Sequence, residues 1–170
     1  MKNSILLSLK VFIFFTVLTG VIYPLLITGI GQIFWKDKAD GSLIYKNGVL
    51  LGSKLLQQDF QLPMHFHGRP QEVSNFSPKF PKQIQLIQDR QKQGLTQEMI
   101  YASGSGLDPE ISVQAAVDQV ERIAKERNID SKVIIELIQR NIIPQSNVFL
   151  AQKRVNVLDL NLRLDGETLK

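Results

Sequence analysis

The sequence contains no cysteine, and histidine occurs only twice, as His65 and His67. Without cysteine the chain can form neither disulfide bonds nor thiolate metal sites. Because both oxidising and reducing compartments tolerate this absence, it does not tell on which side of a membrane the protein works. Internal repeats and low-complexity segments are also missing, so the organisation of the chain follows from its hydrophobic pattern.

A strong excess of charge of one sign is missing as well. Twenty Lys and Arg residues are set against sixteen Asp and Glu, for a net charge of +4. Lys2 and Lys10 precede a long apolar run and every acidic residue follows it, so the polar remainder carries only +2. This balance gives no electrostatic case for a nucleic acid partner. The remainder, about 135 residues, is enough for one modest soluble domain.

The apolar run extends from Val11 to Trp35 and has no charged residue from 11 to 30. As a helix rising about 1.5 Å per residue, it is long enough to cross the roughly 30 Å hydrocarbon core of a bilayer. Phe34 and Trp35 come where an aromatic belt marks the interface, and charged residues follow directly. The sequence therefore predicts a short N-terminus at 1–10, a transmembrane helix at 11–35 and a soluble domain at 36–170.

A cleaved signal peptide is the other interpretation of an N-terminal apolar run. Its apolar core is usually about 7–15 residues and precedes a cleavage site with small residues. This run is longer and has no A-x-A pattern after it, which favours an uncleaved anchor embedded in the lipid bilayer. Lysines flank the run on both sides, so the positive-inside rule alone leaves the orientation open.

Small or helix-perturbing residues recur every four positions within the predicted span, at Thr16, Gly20, Pro24 and Thr28. Residues spaced in this way share one side of a helix. Because small side chains let the backbone of a second helix approach closely, we interpret this stripe as a contact for a partner helix. Pro24 has no N–H to donate to the Gly20 carbonyl, which predicts a kink.

The polar remainder has the pattern of a mixed α+β domain. Asn47-Gly48 predicts a hairpin turn between strands at 43–45 and 49–51. Residues 71–81 are rich in turn formers and predict a loop, followed by a helix over 82–93. Ser112 and Asp130 are typical N-cap residues for two further helices. Leucines alternate with polar residues from Leu158 to Leu164, which predicts a final strand joining the hairpin.

Two short motifs have functional interpretations. His65 and His67 would lie on one face of a strand, as in some metal sites, and are the basis of an alternative function, an anchored extracytoplasmic hydrolase or metal-binding protein, although no third ligand stands at a telling spacing. The structural alternative for this stretch is a tight turn at His67-Gly68-Arg69-Pro70, with Arg69 paired to a carboxylate. Ser103-Gly104-Ser105-Gly106 precedes a helix and could bind an anion through backbone N–H groups. It lacks the Gly-Lys-Ser/Thr of a phosphate-binding loop.

The chain resembles KdpC, the C subunit of bacterial Kdp potassium-transporting P-type ATPases. The resemblance covers nearly the whole sequence, because the motifs occur in the order of the family. They are Thr19-Gly20-Val21-Ile22-Tyr23-Pro24-Leu25-Leu26, Gly31-Gln32, Gly41-Ser42-Leu43-Ile44, Gln58-Asp59-Phe60, Phe66-His67-Gly68-Arg69-Pro70, Ala102-Ser103-Gly104-Ser105-Gly106-Leu107-Asp108-Pro109, Gln114-Ala115-Ala116 and Val155-Asn156-Val157-Leu158. One departure is the short segment Glu72–Pro78, where many members carry a longer insertion.

The resemblance implies a noncatalytic accessory subunit that helps to assemble and stabilise a potassium uptake complex. Its partners would be a potassium-binding, channel-like subunit and the subunit that hydrolyses ATP. The family implies a single-pass protein of the cell (inner) membrane with a cytoplasmic N-terminus and an extracytoplasmic domain.

The resemblance also implies a catalytic chaperone that raises the ATP affinity of the hydrolysing subunit. No cofactor would be bound tightly, and ATP would be contacted in a transient ternary complex by Ser103 to Gly106 and Gln114. An extracytoplasmic domain, however, would be separated from cytoplasmic ATP by the bilayer. The resemblance therefore supports the topology more than a direct contact with ATP.

Overall fold

The computed structural model describes residues 2–71, 80–93, 95–144 and 152–166. The chain divides into two units, residues 1–43 and 44–170. The first is helical and the second combines small antiparallel sheets with short helices, which confirms the predicted α+β class with an N-terminal apolar helix. Most of the loop predicted at 71–81, including Glu72–Pro78, lies outside the described residues.

The first unit is dominated by one long helix. Helix α1 spans Lys2–Val17, a π-helical turn spans Leu18–Ile22, and α2 spans Tyr23–Phe34. Within the described part of the chain, Asn3–Phe34 is the helix long and apolar enough to cross a membrane, and none of its most apolar stretch is buried within the protein. Its 32 residues correspond to about 48 Å. The helix begins earlier than the predicted span, because Ile5, Leu6 and Leu7 extend its apolar surface.

A π-helical turn stands where the sequence predicts a local break. The Tyr23 N–H donates to the Leu18 carbonyl, five residues earlier. The next residue, Pro24, has no N–H, and a proline ring crowds the carbonyl four residues before it, here that of Gly20. The wider turn accommodates both effects, as such turns do at helix irregularities.

A compact connector ends the first unit. After Trp35, whose φ of −140° leaves the helical region, α3 spans Lys36–Ala39. The Gln32 side-chain amide donates to Asp40 Oδ1 at 2.8 Å, and the Ser42 N–H donates to the Asp37 carbonyl at 2.8 Å. These hydrogen bonds hold residues 35–42 against the last turns of α2.

Two separate two-stranded sheets occur in the described residues of the second unit. The predicted hairpin is confirmed: β1 spans Leu43–Lys46, starting at the boundary between the units, and β2 spans Val49–Ser53. Asn47 and Gly48 have φ of 50° and 78°, as a type I′ turn requires. The other sheet pairs β3, Glu110–Ser112, antiparallel to β4, Arg154–Asn156.

Five short helices complete most of the second unit. They are α4 at Pro81–Lys92, α5 at Gln97–Ile100, α6 at Val113–Val117, α7 at Val120–Arg127 and α8 at Ser131–Arg140. The helix predicted at 82–93 and both N-caps are confirmed, since the Ser112 and Asp130 side chains accept from the Ala115 and Lys132 N–H groups. The helix after Ser112 is interrupted at Asp118 and Gln119, which separates α6 from α7.

The strand predicted over Leu158–Leu164 is wrong. Residues Val157–Leu164 form helix α9, and the hairpin does not take up a third strand from it. The alternating pattern misleads because nearly every side of this helix is buried. Leu158 and Leu162, four residues apart, pack with Ile44 of the hairpin, whereas Leu160 and Leu164 face the main core. A helix buried on opposite sides presents apolar residues at every second position.

The main core of the second unit gathers side chains from α5 to α9, the β3–β4 sheet and the irregular segment before α4. Its fully buried members include Phe66, Ile111, Ile123, Ile134 and Leu160. Phe66 is notable because it belongs to no helix or strand, yet its side chain has no solvent exposure. The irregular segment at 54–71 is therefore as firmly anchored as the regular elements.

Candidate functional site

An open cleft of about 500 Å³ lies beside this irregular segment in the second unit. One wall is formed by residues from Gln57 to Gln71, and the others come from α4, the start of α5 and the α6–α7 junction. Its charged lining residues are of both signs: Asp59, Arg69, Asp89, Arg90, Asp118 and Arg122. The cleft is thus polar and nearly balanced in charge.

Gln57 and Gly68 bring two parts of the irregular segment together at the cleft. The Gln57 backbone N–H donates to the Leu107 carbonyl at 3.0 Å, and its side-chain amide donates to the Arg69 carbonyl at 2.6 Å. A Cβ on Gly68 would lie 2.6 Å from Gln57 Nε2 and 2.7 Å from Gln57 Cδ. Only glycine therefore lets the Gln57 amide lie against this turn.

Gln119 and Arg122 hold the backbone around the two histidines. Gln119 Oε1 accepts from the His67 N–H at 2.8 Å, and its amide nitrogen donates to the His67 carbonyl at 3.1 Å. Arg122 donates to the carbonyls of Pro63 and His65 and to Gln119 Oε1. These side chains complete the hydrogen bonding of a backbone segment that has no strand partner.

Arg69 links the Gly-Arg-Pro turn to the Ser/Gly loop. Its guanidinium donates to the carbonyls of Tyr101 and Ala102 at 3.2 and 3.0 Å, and lies 3.7 Å from Asp108 Oδ2. A planar guanidinium suits this task because its donors are arranged as a rigid fork. Arg69 therefore joins the two most distinctive turns of the sequence.

The Ser103–Gly106 loop uses much of its own polarity internally. The Gly106 N–H donates to the Ser103 carbonyl at 3.1 Å, and the following two N–H groups donate to Ser105 Oγ and Ser103 Oγ at 3.1 and 3.4 Å. Of the described residues that line the cleft, none belongs to this loop. Gln114 does not line it either, but its amide donates at 2.8 Å to Asp118, which does. The predicted ATP-contact residues therefore lie outside this cleft, and Gln114 reaches it only through its hydrogen bond with Asp118.

His65 and His67 do not converge as metal ligands would. His65 Nε2 lies 3.2 Å from Asp165 Oδ2, whereas His67 Nε2 lies 3.0 Å from the Leu62 carbonyl. Because a carbonyl only accepts, His67 Nε2 carries the proton and is not free to bind a metal. Within the described residues, no three His, Asp or Glu side chains are grouped to hold a metal ion. The metal-binding hydrolase interpretation is not favoured.

Burial sets the electrostatics of this turn. Desolvation lowers the pKa of His67, the hydrogen bond with Leu62 opposes this effect, and the Arg122 charge lowers the pKa further. Desolvation also lowers the pKa of Arg122 itself, against the opposing charge of Glu126. A neutral His67 beside a charged Arg122 is the arrangement that these contacts favour.

The predicted partner-helix stripe lies on the exposed surface of the first unit. Thr16 Oγ1 donates to the Phe12 carbonyl at 2.8 Å, which satisfies its hydroxyl within the helix. A Cβ on Gly20 would have nothing within 4 Å. The side of the helix that carries Gly20 thus has room for another helix.

Four side chains that hold the backbone around the cleft were not among the predicted site residues: Gln57, Arg69, Gln119 and Arg122. Arg69 was expected only to pair with a carboxylate. Gln119 and Arg122 are three positions apart, which places them on one side of a helix. That spacing was the available signal, but it does not indicate which backbone the two side chains meet.

Comparison with known proteins connects both units to one family. Residues 5–166 match the family model described as KdpC: K⁺-transporting ATPase, c chain. The potassium-transporting ATPase KdpC subunit of Koribacter versatilis is 37% identical, and the alignment covers 98% of this chain and 96% of that protein. The KdpC subunit of Janthinobacterium sp. is 37% identical, with 97% and 99% covered. That of Mycobacterium bovis is 35% identical, again with 97% and 99% covered.

Proposed function

The chain belongs to the KdpC family of potassium-transporting ATPase subunits, and from this premise we propose that it is the noncatalytic accessory subunit of an ATP-driven potassium uptake complex. It assembles with a potassium-binding, channel-like subunit and with the subunit that hydrolyses ATP, and it stabilises their complex. The observation that carries this proposal is the family match, which extends across both units from residue 5 to residue 166.

The contacts around the cleft support an accessory role. Gln57, Arg69, Gln119 and Arg122 all donate to backbone carbonyls of the second unit. His67 is committed to the Leu62 carbonyl in the same way. Side chains with these partners hold a shape, and a shaped polar surface suits recognition of another subunit.

We place the N-terminus in the cytoplasm and the second unit outside the cell (inner) membrane, as the family resemblance implies. In that orientation the bilayer separates the second unit from cytoplasmic ATP by about 30 Å. An effect on ATP affinity then passes through the span as a shift between two arrangements of packed helices. The subunit acts as a chaperone of nucleotide binding without a tightly bound cofactor of its own.

A direct, transient contact of ATP with Ser103, Gly104, Ser105, Gly106 and Gln114 is the second form of this proposal. A reporter enzyme fused after Lys170 separates the two forms, because its activity depends on the side of the membrane. Activity of an extracytoplasmic reporter supports coupling through the span. Activity of a cytoplasmic reporter contradicts that route and supports direct contact.

Nucleotide affinity is the central test of the chaperone role. The dissociation constant of a nonhydrolysable ATP analogue is measured for the complex with and without this chain. A coupling of typical size, about 1–3 kcal/mol, weakens binding roughly 5- to 150-fold when the chain is absent. Equal affinities, with an intact complex of the remaining subunits, would contradict both the assembly role and the chaperone role.

Co-purification tests the stripe Thr16, Gly20, Pro24 and Thr28 as a contact with a partner helix. Gly20→Leu places a large side chain where close approach is needed, so we expect the other subunits to be lost on purification. Gly29→Leu is the matched control, because a Cβ on Gly29 also has nothing within 4 Å and Gly29 is not part of the stripe. Equal recovery of the partners with both variants would defeat the contact.

A further inference from the structure

The hairpin β1–β2 has one apolar face that the second unit does not cover. Ile44 is only 8% exposed and packs with Leu158 and Leu162. Tyr45 and Leu50 are 59% and 52% exposed. Neighbouring strand residues point to opposite faces, so Tyr45 lies opposite to the face that Ile44 buries. Exposed apolar residues continue around it at Val49, Leu55 and Leu56.

The charged side chains of the hairpin and of the residues that follow it are all basic. Residues 41–58 include Lys46 and Lys54 and contain no Asp or Glu. An aromatic and several aliphatic side chains together with lysines, but without acids, are the composition that binds an anionic lipid interface. Exposed leucines with so few charges around them form an apolar patch of the kind that marks a membrane or protein contact.

The chain also ties the hairpin to the end of the candidate membrane span. Asp40 accepts from Gln32 in the last turns of α2, and Ser42 donates to the Asp37 carbonyl. Leu43, the first residue of β1, belongs to the same unit as the span. Two strand residues advance about 7 Å, so Tyr45 cannot be far from Leu43. Only residues 35–42 separate the end of α2 from the start of β1, so the hairpin follows the candidate span closely in the sequence.

We propose that the face of the hairpin that carries Tyr45 and Leu50 inserts into the lipid interface, with Lys54 at anionic headgroups. The bilayer fits this surface because the surface is apolar and basic and because it follows the candidate membrane helix directly in the sequence. This inference goes beyond the proposed function and holds for either orientation of the span. It makes the hairpin a second membrane contact of the chain.

Spin labels on the full chain test this contact, because the absence of cysteine allows one labelled position at a time. Leu50→Cys and Val133→Cys are labelled in separate samples and reconstituted into vesicles of phosphatidylglycerol. Val133 of α8 is the matched control, since it is 59% exposed in the same unit. We expect the label at position 50 to collide more often with oxygen than with a water-soluble nickel chelate. The label at position 133 should show the opposite order.

Addition of Lys54→Glu to the Leu50→Cys chain tests the role of charge. It should reduce the oxygen preference at position 50 in phosphatidylglycerol. The same Lys54→Glu change in the Val133→Cys chain should leave the label at position 133 unaffected, which shows that the fold is unchanged. An undiminished preference would overturn the role given to this lysine. If the label at position 50 prefers the nickel chelate in vesicles, the bilayer contact is overturned. If it then becomes protected only when the remaining subunits are added, the occupant is a partner protein.

Discussion

The two units of the chain place their apolar side chains in opposite ways. In the first, large apolar residues such as Phe12, Leu25 and Ile33 are 68%, 67% and 77% exposed. In the second, the main core buries Phe66, Ile111 and Ile134 completely. The same residue types therefore suit two solvents, because around a membrane helix lipid would take the place that the protein interior has in the second unit.

The units also differ in how they satisfy the hydrogen bonding of their polar groups. The span does so within its own helix, including the Thr16 and Thr19 hydroxyls, which donate to carbonyls four residues earlier. The irregular segment around Phe66 depends instead on distant side chains, such as Asn161 and Arg122. We infer that single polar substitutions are costly in the second unit and nearly harmless to the folding of the first.

Asn161→Ala should cause the largest loss of stability. Asn161 is fully buried, accepts from the Phe66 N–H at 2.8 Å and donates to the Phe66 carbonyl at 2.9 Å. Its removal leaves two buried backbone groups unpaired, for an expected loss of about 3–5 kcal/mol in the free energy of unfolding. Denaturant titration of the full chain in detergent measures it. Thr19→Ala in the span is the comparison, and a similar loss there would break the contrast between the units.

Arg122→Ala should cause the second-largest loss of stability, about 2–3 kcal/mol in the free energy of unfolding. It removes the donors to the carbonyls of Pro63 and His65 and leaves Gln119 with fewer partners. Arg163→Ala, at an exposed position of α9, should change the unfolding free energy little. Equal losses in the two variants would show that the unfolding free energy depends on net charge and not on the backbone contacts of Arg122.

Gly68→Ala tests a single close contact in the second unit. The new Cβ would meet the Gln57 amide at 2.6 Å, so we expect a loss of about 1–3 kcal/mol from overpacking. Gly104→Ala is the control, because nothing lies within 4 Å of its Cβ position. In the double variant Gln57→Ala, Gly68→Ala the clash disappears, so the two losses should be less than additive. Strict additivity in the same titration would refute the contact.

The pH dependence of stability should show the smallest effect. The pKa of His67 is lowered from 6.5, chiefly by burial, so the unfolded chain binds this proton more readily than the folded chain does. The contribution of neutral His67 is complete above the ordinary pKa and is lost as the pH falls through the folded pKa. Unfolding of the full chain should therefore become easier below about pH 6.5, and His67→Gln should flatten this slope. A steeper slope in the variant would contradict the assignment.

Much of the fold was predictable where local chemistry decides the structure. The candidate span follows from the length and apolarity of its run, and the hairpin follows from Asn47-Gly48. The caps at Ser112 and Asp130 follow from short polar side chains that precede apolar positions. In each case the determining residues are close together in the sequence.

The final helix was not predictable from its leucine pattern, because burial on opposite sides imitates the alternation of a strand. A better signal was Asn156, whose side chain accepts from the Asp159 N–H at 3.1 Å and caps α9. The site residues were less accessible still. Gln57 meets Arg69, and Asn161 meets Phe66 95 positions away, which no local pattern reveals.

The π-helical turn at Leu18–Ile22 also sets the angular phase of the span. In a continuous α-helix, residues four apart advance by about 40°, so a stripe from Thr16 to Thr28 would drift by about 120°. One π turn takes in an extra residue and thereby removes about 100° of this rotation. Thr16, Gly20, Pro24 and Thr28 consequently stay within a narrow sector, so that one neighbouring helix can follow the stripe on both sides of the proline.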